Sequence, residues 1–552
     1  MSSEPLYERD IQRRAQRAEC SGIVGHEASD AGLWPHNRMW CCLSRCRRDG
    51  GLGVPKISRN TSGPRAAAGG PGAWADRRSF LRRRVMVIGL DCLEPLLAFD
   101  RYRCEMPNLQ RIAGGVWGDL ESICPPITCP AWICAYTGRD PGQLGVYGFR
   151  NRADWDYGAL QPAFSDSVSR ELAPAAWDVA RDHGMHSMVI GVPPGSPPRR
   201  IRGEFVNYGL TPGPETPFAV PCELVAEARI PVGDYRSDVE DAGTEDRDRV
   251  LAEIEETTDK RWGLAGQLLS TRDWDLFAMV EIGTSRMQHA FWQFMDPRHV
   301  LYEPDSTYRD AIREYYRKVD RGIGELLRFA DDQTLVLCVS DHGAQRMDGG
   351  FLLNEWLLDA GYLRLRPGGG PRPGPLDPAA VDWSRTVAWG DGGYYGRVFL
   401  NVSGREPEGT VPPERLAAVR QEIASRLEAV RFPWGQERAR NRVFFPERLY
   451  REVRGFAPDL ILYPGDLYWR ALGGFAARRG EYFTTDSDTG PDGANHGRYG
   501  VFAAIRGADL RRGLGTGRRL RGLRLLDLGP TILTYLGLSV PQGVAGQPIR
   551  GV

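Results

Sequence analysis

Residues 85–91 read VMVIGLD. Five apolar side chains surround a single glycine, and three of the five are β-branched. A strand with one face in water alternates apolar and polar residues, so a short unbroken run reads as a strand covered on both faces. Similar runs recur as SMVIGV (187–192), LFAMVEIG (276–283), TLVLCVS (334–340), VFLNV (398–402), DLILY (459–463) and VFAAI (501–505). Helical patterns lie between them. ELAPAAWDVARDHG (171–184) ends on a glycine stop, and TYRDAIREYYRKVDRGIGELLRFA (307–330) is long and amphipathic. Alternation on this scale predicts an α/β fold with a mostly parallel central sheet and helices on both faces. Pro/Gly-rich stretches such as RLRPGGGPRPGPLDP (364–378) interrupt it and read as surface insertions.

The wider composition narrows the function classes. The chain has 552 residues, and its 71 Lys+Arg balance its 71 Asp+Glu. That balance excludes a polybasic nucleic-acid binder and an acidic solvating tail as whole-chain readings. The length suits about three or four domain-sized units, or one large α/β domain with insertions. Residues 1–82 show neither helical nor strand periodicity and read as a disordered extension, leaving 83–552 as one catalytic domain with insertions at about 193–260 and 362–485. Eleven cysteines without paired spacing argue against a disulfide scaffold and for a reducing interior. His36 beside Cys41, Cys42 and Cys46 lacks the two spaced pairs of a structural zinc site. Arg77-Arg78 with the apolar run behind it imitates a twin-arginine export signal, but Asp91 cuts that run after six residues. It is read as a coincidence and the location as cytoplasmic. No run of about eighteen apolar residues exists to span a bilayer.

Ligands of open α/β sheets gather beyond the carboxyl ends of the strands. Asp91 follows the first strand, Thr284, Ser285, Arg286 and His289 follow the run at 276, and Asp341 and His342 follow the run at 334. His496 comes just before the run at 501. Three of only eight histidines thus fall where a ligand would sit, with two aspartates. One Asp at a strand end is ordinarily a helix cap. Jointly, Asp and His are what a borderline divalent cation takes as ligands. ESICPPITCPAW (121–132) adds a nucleophile: Thr128 stands after a Pro-Pro turn at the start of a helix-like stretch. Alone it reads as a cap. Beside the Asp/His set it reads as a hydroxyl activated by a metal and aimed at an anion.

These segments, with TGRDP, SRMQHAFWQFMDP, SDHGAQ, NEWL, GPDGANHGRYG and the tail LDLGPTILTYLGL, resemble the alkaline phosphatase superfamily. The similarity is greatest to its type I phosphodiesterase/nucleotide pyrophosphatase branch, and it runs in order from about Val85 to Gly546. The resemblance implies a three-layer sandwich with cap-forming insertions, and a hydrolase of small phosphate esters with two divalent ions, zinc with manganese or magnesium as alternatives. It implies Thr128 as the nucleophile of a covalent phospho-threonine intermediate. One metal site would take Asp91, Thr128, Asp341 and His342. The other would take His289, His496 and the position four before His289. No nucleic acid is expected as a specific partner, and the sequence carries no signal of oligomeric state.

Two positions depart from the family pattern. The residue four before His289 is Ser285, where the family has Asp, so the second site is expected to bind weakly or to recruit Glu281 or Asp492. Alternative readings follow: a degenerate, weakly active or non-catalytic one-metal member acting as a binding protein, or a phosphomonoesterase or phosphonate hydrolase. The Asn that nucleotide pyrophosphatases carry twenty-one residues after the Thr falls on Phe149, which argues against a nucleotide diester as substrate. The Cys-x-Pro-x-Arg frame of sulfatases fails, since Pro130 follows Cys129 directly and position 133 is Ile133.

Overall fold

The computed structural model describes residues 82–552 apart from 164–167, 169–171, 209–218, 225–237, 241, 368–373, 436–438, 476–477, 479 and 487–489. The extension expected over 1–82, the cysteines of its first fifty residues and Arg77-Arg78 lie outside the described residues, Arg82 excepted.

The run at 85 is a strand, β1 (Arg84–Leu90), at the middle of a ten-stranded sheet. The other main strands are β2 (Val116–Glu121), β3 (Ser187–Ile190), β4 (Gly203–Val206), β5 (Leu276–Glu281), β6 (Thr334–Val339) and, after two short strands of another sheet, β9 (Tyr499–Arg506). Their order is β2-β9-β6-β1-β5-β3-β4, with short strands extending both edges. β6, β1, β5, β3 and β4 run parallel, while β9 is antiparallel to both of its neighbours.

Alternate residues of β1 feed opposite layers. Met86, Ile88 and Leu90 pack with helices α2 (Arg247–Thr271), α3 (Gly283–Met295) and α4 (Ala311–Leu327). Val85 and Val87 pack with α1 (Thr128–Thr137) and α5 (Leu528–Leu536). Burial on both faces explains why the run never alternates, each such side chain contributing about 1.5–3 kcal/mol. Gly89 allows one close approach: a Cβ there would stand 2.7 Å from the Trp132 ring of α1.

Two of the seven runs do not join this sheet. VFLNV and DLILY contribute Gly396–Leu400 and Leu460–Tyr463 to a separate four-stranded antiparallel sheet with Ala388–Asp391 and Arg442–Phe444. It has its own core, including Leu353, Trp356 and Leu427 from flanking helices. A continuous apolar run reports burial of both faces and not which sheet supplies it. β2 went unread because its burial alternates.

Candidate active site

The parallel strands bring their following residues to one edge of the sheet. Asp91 leaves β1 and is held there by its backbone: its N–H donates to Glu281 O at 3.0 Å, and its carbonyl accepts from Thr284 Oγ1 at 2.6 Å. Cys92 then turns with φ 61°, a left-handed conformation unfavourable for a side-chain-bearing residue. Its N–H donates to Asp341 Oδ1 at 3.2 Å, which ties the end of β1 to the end of β6. Thr128 opens α1. It makes no capping hydrogen bond, since the N-cap is Ile127. Its Oγ1 instead lies 3.5 Å from Asp91 Oδ1 and 3.2 Å from His342 Nε2. One helical turn on, Trp132 Nε1 donates to Asp91 Oδ2 at 2.8 Å.

His289 projects from α3 one turn after Ser285. His496 lies on β8 (Ala494–Gly497), which pairs antiparallel with β7 (Gly343–Arg346), the segment directly after His342. The His496 ring is sandwiched between His342, 3.9 Å away centroid to centroid, and Tyr394 at 4.1 Å. His289 is 5.3 Å from it. Ser285 lines the same cleft as Thr128, His289 and His496. All seven sequence-predicted residues therefore meet in one place.

The three imidazoles share an orientation. Nδ1 faces Gly343 O at 3.0 Å in His342, Pro126 O at 2.7 Å in His496 and Asp492 Oδ1 at 2.9 Å in His289. An oxygen acceptor fixes a proton on Nδ1 and leaves Nε2 for a ligand. Burial lowers His342 to about 3, and burial together with the neighbouring imidazoles lowers His496. Both are thereby held neutral, the form that binds a metal.

The carboxylates show what is lacking. Burial raises Asp91 to about 6, against the hydrogen bond from Trp132 and the charge of Arg286. Asp341 is pushed well above the usual carboxylate range, by burial and then by the charge of Asp91. Asp341 Oδ2 is buried with no hydrogen-bond partner among the described residues, and 3.2 Å away it meets another acceptor, His342 Nε2. Ligand atoms of Asp91, Asp341 and His342 all lie within 4.8 Å of one another. Two carboxylates and an imidazole nitrogen converging on one point, with Asp341 Oδ2 left without a donor among the described residues, fit a divalent cation.

Of the two carboxylates considered for recruitment beside Ser285, Glu281 is excluded. It accepts from Arg261 at 2.5 Å, Trp262 at 2.7 Å and the Gly283 N–H at 2.8 Å, on the α2 side of the sheet. Asp492 is adjacent to His289. Its other oxygen accepts from Tyr394 OH at 3.1 Å and Arg470 at 3.3 Å. Arg286 and Arg346 are engaged by Asp238 and Asp348. Asn354 joins the strand Ala388–Asp391 to the segment at Gly473 by hydrogen bonds to Gly390 and Gly473. Trp177, Trp292 and Trp356 are core, as expected. Trp132 is core and also touches the site, a role its spacing of four from Thr128 on one helix face signals. Arg470 gave no sequence signal. The site opens into a cleft of about 1000 Å³ lined also by Phe149, Arg150, Trp389, Tyr395 and Phe475.

The profile of the family described as type I phosphodiesterase / nucleotide pyrophosphatase matches residues 85–488. The chain belongs to that family. The matched span holds Asp91, Thr128, Ser285, His289, Asp341 and His342, and stops short of Asp492 and His496. The chain is accordingly a phosphoric ester hydrolase of the alkaline phosphatase superfamily. Among solved structures, human ectonucleotide pyrophosphatase / phosphodiesterase 5 matches with a TM-score of 0.45 and 13% identity, covering 83% of this chain and 96% of that one. A search of curated proteins finds no match. No helix among the described residues is long and apolar enough to cross a membrane.

Proposed function

We propose that this phosphodiesterase-family chain is a metal-dependent hydrolase that attacks phosphorus with Thr128. The observation that carries the reading is the meeting of Thr128 Oγ1 with Asp91 and His342 beside a buried Asp341 oxygen that has no donor. Asp91, Asp341 and His342, with Thr128, would hold one divalent ion; His289 and His496, with the Ser285 hydroxyl, would hold a second. Bound there, such ions lower the pKa of a coordinated hydroxyl and neutralise charge on a transferring phosphoryl group. The chain itself supplies position. The N-terminal end of α1 presents Thr128 with the positive end of a helix dipole, which favours an approaching phosphate ester. Oγ1 forms the new bond to phosphorus as the bond to the leaving alcohol breaks, and water later cleaves the threonyl phosphate and restores the hydroxyl. Trp132 holds the Asp91 carboxylate still throughout, so that little reorganisation is needed as charge moves.

The size of the cleft supports a diester, since a simple phosphate needs no groove reaching Trp389 and Phe475. Phe149 on its wall supports a leaving arm other than a nucleotide. Strands and turns of the insertions, above all 388–400 and 469–475, supply most of that wall and on this reading set specificity. A chromogenic phosphodiester assay with added zinc or manganese tests the proposal. Turnover that vanishes in Thr128→Ala supports it, and full activity in that variant refutes it. The ratio of mono- to diester rates tests the monoesterase reading, and a phosphonate substrate assayed beside them tests the phosphonate reading.

A further inference from the structure

Resting on that reading, the geometry points to Asp492 as a positioning residue for the second cation: its carboxylate orients His289 and restores the negative charge that Ser285 omits. Asp492 Oδ1 accepts the His289 Nδ1 proton at 2.9 Å, so Nε2 is the nitrogen turned toward the ligand. A carboxylate behind a ligating imidazole raises its basicity and fixes its ring. Ser285, one turn earlier on α3, brings only a neutral hydroxyl. The second site thus has no carboxylate of its own, and the nearest one acts through His289.

Asp492 is built into place. Its side chain is 8% exposed, and four groups fill its oxygens: His289, Tyr394, Arg470 and the Ala494 N–H at 3.2 Å. The next residue is fixed from three sides. Gly493 N donates to His289 O at 2.8 Å, and Gly493 O accepts from Met347 N at 3.2 Å and from His299 Nε2 at 3.1 Å. The strap carrying Asp492 is therefore anchored to the helix that carries His289. A side chain at Gly493 would come within 3.0 Å of the Gln293 N–H, so the fit leaves no slack. Tyr394 closes the arrangement, since its ring stacks on His496 and its hydroxyl holds Asp492.

The test is a zinc titration by chelator competition, with bound zinc counted by elemental analysis, on the parent, Asp492→Asn, Asp492→Ala, Ser285→Asp and the Ser285→Asp/Asp492→Asn double variant. Two equivalents are expected in the parent. In Asp492→Asn and Asp492→Ala the weaker equivalent should lose about 10- to 100-fold in affinity while the tighter one is unchanged. Ser285→Asp should restore the weaker equivalent in the double variant. Asp492→Asn keeps the side-chain volume and decides the matter if Asp492→Ala does not fold. A parent that binds no zinc overturns this inference and the proposed function together. A parent that binds one equivalent, or two equivalents untouched by Asp492→Asn, overturns the role of Asp492 and leaves the Thr128 site standing.

Discussion

Asp341→Asn should make the metal-free protein more stable while removing the tighter of its two cation sites. Asp91 and Asp341 place carboxylate oxygens within 4.8 Å of each other, both fully buried. At an effective dielectric of about 20, two charges at that distance repel by about 3.5 kcal/mol. Burial separately raises Asp91 from 3.8 to about 6, roughly 3 kcal/mol that comes from lost hydration and not from Asp341. The sign follows from the direction of the shift. A carboxyl whose folded pKa is raised contributes stability that is fully present below pH 3.8 and lost as the pH climbs through about 6, and Asp341 extends the loss to higher pH. Metal-free protein should therefore be less stable at pH 8 than at pH 5. Asparagine keeps the Oδ1 that accepts from Cys92, and puts an N–H where Oδ2 now faces the His342 lone pair at 3.2 Å. The expected gain at pH 8 is about 2–3 kcal/mol. Unfolding entropy of about 2.1 cal/mol/K per residue over roughly 470 residues makes this a rise in Tm of about 2–3 °C. Differential scanning fluorimetry with a chelator, then with added zinc, reads both halves. Zinc should raise the parent by more than the variant, which keeps only the His289/His496 site. A variant less stable than the parent at pH 8 in chelator, or a parent whose metal-free Tm is flat from pH 5 to 8, would refute the view that these carboxylates await a cation.

Three further substitutions probe the same geometry. Trp132→Phe removes the 2.8 Å hydrogen bond to Asp91 and should weaken the tighter zinc equivalent by about 10- to 100-fold, on about 1.5–3 kcal/mol for a charged hydrogen bond; unchanged affinity in a folded variant shows that Asp91 does not need the indole. Tyr394→Phe keeps the stack on His496 but leaves one oxygen of Asp492 to Arg470 alone, so kcat/KM should fall by about 3- to 10-fold with the fold intact, and a rate equal to the parent's removes Tyr394 from the account. Phe149→Asn places an amide on the cleft wall and should raise kcat/KM for aryl nucleotide diesters by about 10-fold, as one added charge-assisted hydrogen bond allows; no gain means that Phe149 is not what turns nucleotides away.

The site was more legible in the sequence than the sheet was. Asp91, Asp341 and His342 could be found because each ends an apolar run, and a parallel sheet sends the ends of its strands to one edge. Thr128 could be found because PPIT breaks a pattern and starts a helix. The runs at 398 and 459 were ambiguous for a physical reason: strands of both sheets are buried on two faces, and only pairing partners distant in sequence distinguish them. Trp132 shows the converse limit. Its body is fully buried and reads as core, yet its single N–H is spent on Asp91, and no composition rule separates those two functions of one indole. Arg470 lies on a short strand in a loop-rich insertion, where period carries little information.

Ser285 raises the question of how a metal site survives the loss of a carboxylate. Direct replacement by Glu281 is blocked, because its oxygens already satisfy Arg261, Trp262 and the start of α3, and removing it from that ion pair would leave a buried guanidinium uncompensated. Asp492 is paired as well, with Arg470, but it already touches His289 and can act without leaving its partners. Against the upward push of burial, His289 and Arg470 hold it below the ordinary carboxylate range, so it stays ionised while touching the imidazole. Charge placed behind a ligand still acts on the ion, at a greater distance and with a weaker pull. A site arranged in this way should bind its second ion less tightly than the first, and the difference between the two zinc equivalents of the parent measures how much of the lost carboxylate the relay through His289 returns.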